Sequence, residues 1–504
     1  MAVTALIATA LSSLYPAIAV ISGIVVGVGP VGLSLTGRTS ALAWTPRLIR
    51  LAILAVLFQT GFIVGIAYLL RLVSISPYHS EVLALAIGSL LVGLIIVLAV
   101  AVSGPVEKKA SNRYVKAAIK RLEEVNPTIV AITGSYGKTT TKGYVAHLLS
   151  TYKSVVASPA SFNNRLGLAR AINENLIRGT EVFVAEMGAY YPGDIAELCS
   201  WIKPDIGVIT AIGPVHLERF GSVDRIAATK SEITTLASVA VLALDYPELY
   251  QLAESLKGSD KKVISCSGRD TSTDVCVKID GDSILLYEKG ELLAALPATT
   301  DTYRIAPSNL ACAVAVALEL GLPRSELKNR IPSLPVAPNR LAVLSAPGGF
   351  SVIDDTYNSN PTGARLALAM LEKVAALSGS TDDSQHDPGH GGNNETDHLH
   401  SANRIDSSEG RRVVLVTPGM IELGPRQEEE NANFAAAASA IVSDIVIVGR
   451  TNRRALLDGL AREGNRVVRV KLVNTREEAV SWVRENLGSG DVVLYENDLP
   501  DHYP

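Results

Sequence analysis

Cysteine is rare in this chain of 504 residues. The four cysteines are far apart in sequence, and no two of them form a C-x-x-C pair: Cys199, Cys266, Cys276 and Cys312. A disulfide framework or a zinc site needs closely paired cysteines. The spacing therefore argues against both kinds of site and predicts reduced thiols inside the fold.

Charged residues are nearly absent from the first 106 positions, which hold only Arg38, Arg47, Arg50, Arg71 and Glu81. The whole chain has 46 Lys and Arg and 50 Asp and Glu residues, so almost all of its charge lies beyond that segment. This distribution predicts a membrane part joined to a soluble part long enough for two domains. It excludes a simple cytosolic enzyme, a disordered protein and a polytopic transporter. The net charge of −4 gives no sign of a nucleic-acid-binding surface.

Three stretches near the N-terminus lack charge and are long enough to cross a hydrocarbon core of ~30 Å as helices. They are roughly Val3–Val28, then Leu51–Leu70 and Val82–Val102. Basic residues are frequent after the first and third stretches and scarce after the second. The segments that follow the first and the third stretch are therefore expected to face the cytoplasm. The sequence thus predicts a multi-pass protein of the cell (inner) membrane. Residues 1–106 would form three transmembrane helices, 107–125 a basic linker helix, and the catalytic domains would be cytoplasmic.

From about Asn126 onward, short β-rich runs alternate with helical stretches. The first strands are predicted at Thr128–Thr133, Val155–Ala157 and Val182–Glu186, and a hairpin is predicted around Asp280. Such alternation predicts an α/β fold with parallel sheets covered by helices. A proline-rich stretch near position 335 predicts a boundary between a central P-loop ATPase domain, 126–335, and a smaller Rossmann-like C-terminal α/β domain, 336–504. Residues 378–410 are rich in Ser, Asp, Gly, Asn and His, which predicts a disordered surface insertion; a metal-binding histidine tract is the alternative.

The segment Ile132–Thr140, with the sequence I-T-G-S-Y-G-K-T-T, follows a predicted strand and precedes a helical run. A glycine-rich turn in that position lets backbone N–H groups surround phosphate oxygens, while Lys138 adds a point charge and the Thr139 hydroxyl can bind Mg²⁺. The usual first glycine is Ile132 here, so the loop matches a shortened variant, T-G-x-x-G-K-T-T. The predicted nucleotide-binding residues of this loop are Gly134, Ser135, Tyr136, Gly137, Lys138, Thr139 and Thr140.

This loop is the first of six motifs that resemble, in order, those of the Mur ligase family, which are ATP-dependent amino-acid or peptide ligases of cell-wall synthesis. The other five are S-F-N-N-R-L-G at 161–167, E-M-G-A-Y-Y-P-G-D at 186–194, I-G-P-V-H-L-E-R-F-G-S at 212–222 with A-T-K-S-E at 228–232, D-D-T-Y-N-S-N-P at 354–361, and G-M-I-E-L-G at 419–424. Their details favour the MurF-like branch, and together they cover about residues 126–504.

The resemblance implies that ATP phosphorylates a substrate carboxylate and that an amine then attacks the acyl phosphate. It implies two Mg²⁺ ions, one held by Thr139 and Glu186 and the other by His216 and Lys230, the lysine carrying a carbamate. From the residues alone, His216 could instead be a hydrogen-bonded structural histidine and Lys230 an unmodified surface lysine. The implied catalytic residues are Lys138, Lys230, His216 and Arg340.

The resemblance also implies further contacts to the nucleotide. Asn164 lies in the second motif, and Asn309 heads an alanine-rich helix. The histidine usually found four residues before that asparagine is Ile305 here, so adenine recognition is expected to differ locally. On the C-terminal domain, Arg340 is expected to reach the γ-phosphate when the domain closes, with the nucleotide contacted by Asp355, Tyr357 and Asn358.

Two departures from the MurF pattern bear on the substrate. Three predicted spans replace the soluble domain that holds the uridine-diphosphate sugar in MurF proteins. The chain also ends with Glu496, Asp498 and Asp501 where MurF proteins typically have K-G-S-R. An acidic site would suit an amine-bearing substrate, although a solvated tail is an equal alternative.

The expected function is a membrane-anchored, ATP-dependent amide- or peptide-bond ligase. It would join an amino acid, peptide or amine to a cell-wall precursor, with lipid-linked precursors among the candidates. Two alternatives stay open. One is an amidation subunit that works with a glutaminase partner, and the other is a membrane ATPase coupled to transport or signalling. No nucleic-acid partner is expected.

Overall fold

The computed structural model describes residues 44–73, 75–159, 162–281, 283–298, 305–335, 341–356, 359–377, 411–462 and 468–497. The chain divides into two compact units, one extending to Tyr114 and the other running from Val115 to Leu499. Several predictions fall outside the described residues: the span at Val3–Val28, the insertion at 378–410, and Arg340, Tyr357, Asn358, Asp498 and Asp501.

The described part of the first unit is helical. It contains α1 (Pro46–Leu72), α2 (Pro77–Leu90) and most of α3 (Val92–Val125), which continues into the second unit. The hydroxyl oxygen of Thr45 accepts the N–H of Leu48 at 3.2 Å and so caps the start of α1.

One helix of the described residues is long and apolar enough to span a membrane, and that helix is α1. It contains the predicted span Leu51–Leu70. The predicted span Val82–Val102 is instead interrupted at Leu91, where α2 and α3 meet at a bend of 65° and would count as one broken span at most. Glycines on both sides of the break explain it, because glycine is a poor helix former. The described residues therefore do not support the predicted multi-pass arrangement.

The central domain of the second unit is built on a nine-stranded sheet with strand order β2-β3-β1-β4-β5-β6-β7-β8-β9. Strands β1 to β7 are parallel to their neighbours, and β8 and β9 add an antiparallel edge. The strands are β1 Thr128–Thr133, β2 Val155–Ala157, β3 Val182–Glu186, β4 Ile206–Ile209, β5 Val239–Ala243, β6 Lys262–Ser267, β7 Val275–Asp280, β8 Ser283–Glu288 and β9 Glu291–Pro297.

Helices cover both faces of this sheet. Strands β1, β3 and β4 are therefore buried on both faces, which fits their apolar sequence along nearly the whole length. Val115, Ala118 and Leu122 of α3 pack into the same core. The other helices are α4 Lys138–Leu149, α5 Arg165–Asn175, α6 Asp194–Ile202, α7 Leu217–Phe220, α8 Val223–Ser231, α9 Pro247–Leu256, α10 Pro307–Glu319 and α11 Arg324–Arg330.

The C-terminal domain has a six-stranded sheet of order β10-β11-β15-β12-β13-β14, parallel except for β10. Its strands are β10 Ala342–Ser345, β11 Ser351–Asp355, β12 Val413–Thr417, β13 Asp444–Val448, β14 Arg469–Val473 and β15 Val492–Glu496. Its helices are α12 Pro361–Leu377, α13 Gln427–Ser439, α14 Arg453–Arg462 and α15 Arg476–Asn486. The predicted α/β fold with parallel sheets is confirmed.

All four cysteines are buried and unpaired, as their spacing predicts. Burial raises the pKa of Cys199 to about 12 and that of Cys276 to about 11. The thiols of Cys199 and Cys276 therefore stay protonated and contribute to packing.

Candidate active site

The loop between β1 and α4 requires glycine at two positions. Gly137 has φ +80°, and a Cβ there would lie 2.3 Å from Oδ1 of Asn309. A Cβ on Gly134 would lie 2.1 Å from the hydroxyl oxygen of Thr210. Both glycines therefore allow the backbone to turn closely against its neighbours, as a phosphate-binding loop requires.

Lys138 begins α4, and its ammonium group folds back to donate to the carbonyl oxygen of Gly134 at 2.7 Å. Ser135 holds the loop in place instead of facing outward. Its N–H donates to the carbonyl oxygen of Ala211 at 2.8 Å, and its hydroxyl exchanges hydrogen bonds with Gly213 at 3.0 and 3.1 Å. The loop is thus tied to the segment after β4.

Glu186 ends β3 and is only 1% exposed. One carboxylate oxygen accepts a hydrogen bond from the ammonium group of Lys142 at 2.9 Å, and the other accepts one from the side-chain amide of Asn163 at 3.3 Å. A carboxylate oxygen has two lone pairs, so one protein contact on each leaves room for a metal ion. Hence Glu186 remains compatible with the expected Mg²⁺, together with the half-buried hydroxyl of Thr139 at the start of α4.

His216 and Lys230 lie near Lys138. Burial lowers the pKa of His216, and nearby Lys138 and Arg219 add to the effect, while Glu422 opposes it. Lys230, on α8, is 4% exposed, and burial followed by the charge of Lys138 holds its pKa well below the usual value. The structure therefore brings these three predicted residues together, and Lys230 is not a surface lysine.

A neutral imidazole and a buried amine fit the expected second metal site only if the amine gains oxygen atoms. Among the described residues, no three His, Cys, Asp or Glu side chains are grouped so that they could hold a metal ion. A carbamate on Lys230 would supply hard oxygen ligands of the kind that Mg²⁺ prefers. The residues present fit the metal with that modification, and phosphate oxygens would complete the coordination.

A cavity of 410 Å³ lies beside the loop, and its walls come from both domains. Of the predicted residues, Tyr136, Gly137, Thr140, Asn309 and Asp355 line it. Unpredicted residues also line it, among them Asp245, Tyr246, Arg269 and Arg365. The first three follow the carboxyl ends of β5 and β6, and ligands bind at these ends of the strands in parallel sheets. Their position after predicted strands could therefore have identified them as candidate ligand contacts. Ile305 is buried at 7% exposure and does not line the cavity.

Asn164, a predicted nucleotide contact, lies at the start of α5. Its side-chain oxygen accepts the N–H of Gly167 at 2.9 Å, so it caps α5 on the exposed side, and it does not line the cavity. The neighbouring Asn163 reaches Glu186 instead. Lys142 also escaped prediction, because its pairing with Glu186 connects positions 44 residues apart.

Glu496 is not part of an acidic surface, contrary to the expectation for the C-terminus. It is 0% exposed at the end of β15 and accepts hydrogen bonds from the hydroxyl groups of Ser359 and Thr417. Burial, followed by the nearby charge of Asp355, raises its pKa to about 8. Its side chain is therefore a buried, largely protonated acid at neutral pH and cannot meet a substrate amine at the surface.

The buried acid predicts a pH dependence of stability. Because the pKa of Glu496 rises from 4.5 to about 8 on folding, its stabilising effect is complete below pH 4.5 and is lost as the pH approaches 8. The free energy of unfolding should fall by up to about 1.4 kcal/mol per pH unit in this window. Glu496→Gln should flatten the curve measured by urea unfolding from pH 5 to 8.5, whereas Glu485→Gln, at an exposed position, should not. Equal slopes in all three proteins would contradict the prediction.

The sequence of this chain matches models of known protein families. The family model described as the Mur ligase middle domain matches residues 132–317, and the model described as Mur ligase, glutamate ligase domain, matches 391–495. A UDP-N-acetylmuramoyl-tripeptide–D-alanyl-D-alanine ligase of Mycobacterium leprae is 32% identical over 411 residues, 78% of this chain and 75% of the relative. The enzyme of that name from Bacillus subtilis is 26% identical over 384 residues, 74% of each chain.

Two solved structures share the fold. MurF from Acinetobacter baumannii superposes with a TM-score of 0.59 at 23% identity, covering 77% of each chain. MurF ligase from Thermotoga maritima in complex with ADP gives a TM-score of 0.58 at 24% identity, covering 77% of this chain and 80% of that one.

Proposed function

Because this chain belongs to the Mur ligase family, we propose that it is a MurF-like ATP-dependent ligase that forms an amide bond on a peptidoglycan precursor. The observation that carries the proposal is that His216 and Lys230 lie near Lys138, which belongs to the loop whose Tyr136, Gly137 and Thr140 line a cavity walled by both domains. Phosphoryl transfer depends on positioning and on charge stabilisation more than on covalent chemistry. A loop of backbone N–H groups with a lysine and buried metal-binding side chains supplies both.

In the proposed reaction, ATP occupies the cavity with its phosphates at the loop. A carboxylate oxygen of the precursor attacks the γ-phosphorus, ADP leaves, and an acyl phosphate forms. The amine of the second substrate then attacks the acyl carbon and releases phosphate. Lys138 would stabilise the negative charge on the transferring group. Asp245, Tyr246 and Arg269 line the same cavity and are candidates for contacting the nucleoside.

Four residues would hold the metal ions. Thr139 and Glu186 would bind one Mg²⁺, and His216 with carbamylated Lys230 would bind a second. When bound, these ions would neutralise phosphate charge. The buried amine of Lys230 favours carbamate formation, since its neutral form is the one that adds to CO₂, with loss of a proton.

The acceptor precursor is proposed to be membrane-proximal or lipid-linked. Support comes from α1, an apolar and exposed helix, and from the position of the family match, which begins only at residue 132. A membrane anchor would raise the effective concentration of the active site near lipid-linked molecules. Soluble uridine-diphosphate precursors would gain nothing from that anchor.

Deletion of residues 1–106 tests the anchor. In lipid nanodiscs, the full chain should use a lipid-linked precursor with a kcat/KM roughly tenfold or more above that of the shortened chain. Both proteins should use a soluble uridine-diphosphate precursor equally, which serves as the internal control. If the deletion changes neither substrate's kcat/KM, the membrane part of the proposal is wrong.

Turnover tests the reaction class itself. The detergent-solubilised full chain is given ATP and a panel of muropeptide and lipid-linked precursors with candidate amines, and the products are identified by mass spectrometry. Amide formation with ADP release supports the proposal. Turnover that needs only ammonia would favour an amidation subunit, and ATP hydrolysis at full rate without any acceptor would favour a membrane ATPase.

A further inference from the structure

His216 is in contact with a loop of the C-terminal domain that lies 206 residues away in sequence. Its Nδ1 atom is hydrogen-bonded to the carboxylate of Glu422. The next residue, Leu217, donates its N–H to the carbonyl oxygen of Glu422 at 3.1 Å. The side chain and the backbone of Glu422 thus both hold the turn that carries His216.

The backbone at both ends of this contact is strained. His216 has φ +52° and Glu422 has φ +62°, a left-handed conformation that residues with a Cβ rarely adopt. Such strain persists only where the surroundings hold it in place, and it is concentrated at functional sites. Neither residue is a glycine that would relieve it, so the side chains themselves are needed at these positions.

The hydrogen bond also decides which nitrogen of the imidazole is available. A carboxylate oxygen accepts from an imidazole N–H, so this hydrogen bond places a proton on Nδ1 and leaves Nε2 as the nitrogen that can bind a ligand. Two neighbours restrain the same group. The ring of Tyr190 lies 5.1 Å from the imidazole, and the guanidinium of Arg219 stacks 4.8 Å from Tyr190 and lies 3.9 Å from the other oxygen of Glu422.

We propose that Glu422 is a positioning residue, which orients His216 so that Nε2 is presented as a ligand, and which does so only when the C-terminal domain is seated on the central domain. The inference rests on the proposed function, since it assigns His216 to a metal ion there. A carboxylate that accepts from a metal-binding histidine fixes both its tautomer and its ring orientation. Seating of the C-terminal domain would thereby complete the metal site.

The test uses the full chain with Mn²⁺ in place of Mg²⁺ and a non-hydrolysable ATP analogue. The concentration of free Mn²⁺ is measured by electron paramagnetic resonance. Glu422→Ala should weaken one Mn²⁺ site by about 10- to 100-fold. Glu422→Gln should have a smaller effect, because an amide oxygen still accepts from Nδ1 and the side chain keeps its size. Glu429→Gln, at an exposed position of α13, is the matched control and should bind Mn²⁺ like the unmodified chain.

A double-variant cycle shows whether Glu422 acts through the histidine. If it does, Glu422→Ala should cause no further loss of Mn²⁺ affinity in a chain that already carries His216→Ala. Without any metal, hydrogen exchange of the peptide 214–221 should be faster in Glu422→Ala than in the control, whereas exchange in α4 should be unchanged.

Two results would overturn the proposal: equal losses of Mn²⁺ affinity with and without His216, or unchanged Mn²⁺ affinity and unchanged exchange of 214–221 in Glu422→Ala. Both measurements work without an acceptor substrate. A chain that shows no ligase turnover would therefore count against the proposed function and still leave the role of Glu422 measurable.

Discussion

Lys138→Ala is expected to lower the kcat of ATP-dependent product formation by roughly 10²- to 10³-fold, the loss typical of removing one group that stabilises transition-state charge. The lysine begins α4 at the end of the phosphate-binding loop, and its ammonium group is already held against Gly134 at 2.7 Å. Because that geometry exists before the reaction, little reorganisation is needed when charge builds up on the γ-phosphoryl group. ADP release and product formation, measured together in the full chain, check the expectation.

Lys257→Ala is a suitable control for that variant. Lys257 is an exposed lysine near the end of α9 whose ion pair with Glu254 lies on the surface. Both variants should melt at the temperature of the unmodified chain. A Lys138→Ala chain that retained full activity would remove the phosphate-binding loop from the mechanism.

Lys230→Ala is expected to cause a loss of similar size, roughly 10²- to 10³-fold, if the lysine carries the proposed carbamate. The substitution removes the carboxylate-like group while leaving space for a small acid. Formate or acetate should therefore restore part of the activity of Lys230→Ala. Neither acid should restore Lys138→Ala, in which the missing group is a cation.

Removal of CO₂ provides an independent check on the same residue. Exhaustive degassing should lower the activity of the unmodified chain, and added bicarbonate should restore it. Intact-mass data that show a free amine at Lys230 in an active sample, or full activity in Lys230→Ala, would contradict the carbamate.

Sequence patterns predict the central sheet well, because its strands are short apolar runs buried on both faces. The bounds of β1, β2 and β3 are the same in sequence and structure, and the hairpin around Asp280 is also present. Strand β9 was not predicted, because its sequence E-L-L-A-A-L-P lacks polar alternation and is rich in the helix formers Leu and Ala. Strand β10 was likewise missed because it is short and half-exposed.

The membrane part shows a limit of the same approach. Counting uncharged residues identifies α1 but treats Val82–Val102 as continuous, although the helix breaks at Leu91. Length and hydropathy do not include the local cost of glycine within a helix. A count of uncharged residues therefore misses a break that the flanking glycines mark in the sequence.

The proposed active site was predictable only where its residues lie in contiguous motifs. Lys138, His216 and Lys230 belong to such motifs, and the structure brings them together. The pairing of Lys142 with Glu186 and that of Glu422 with His216 depend on tertiary contacts between distant segments. Burial decides the case of Glu496, which the sequence alone cannot distinguish from an acidic tail.

The cavity beside the phosphate-binding loop has a thermodynamic consequence. Since its walls are divided between the central and C-terminal domains, a nucleotide that fills it gains its full contact free energy only while both domains are folded. When either domain unfolds, the other domain therefore also loses the stabilisation that the bound nucleotide provides. On the proposed function, ATP bound in this cavity would couple the folding of the two domains, and they would unfold as one cooperative unit in its presence.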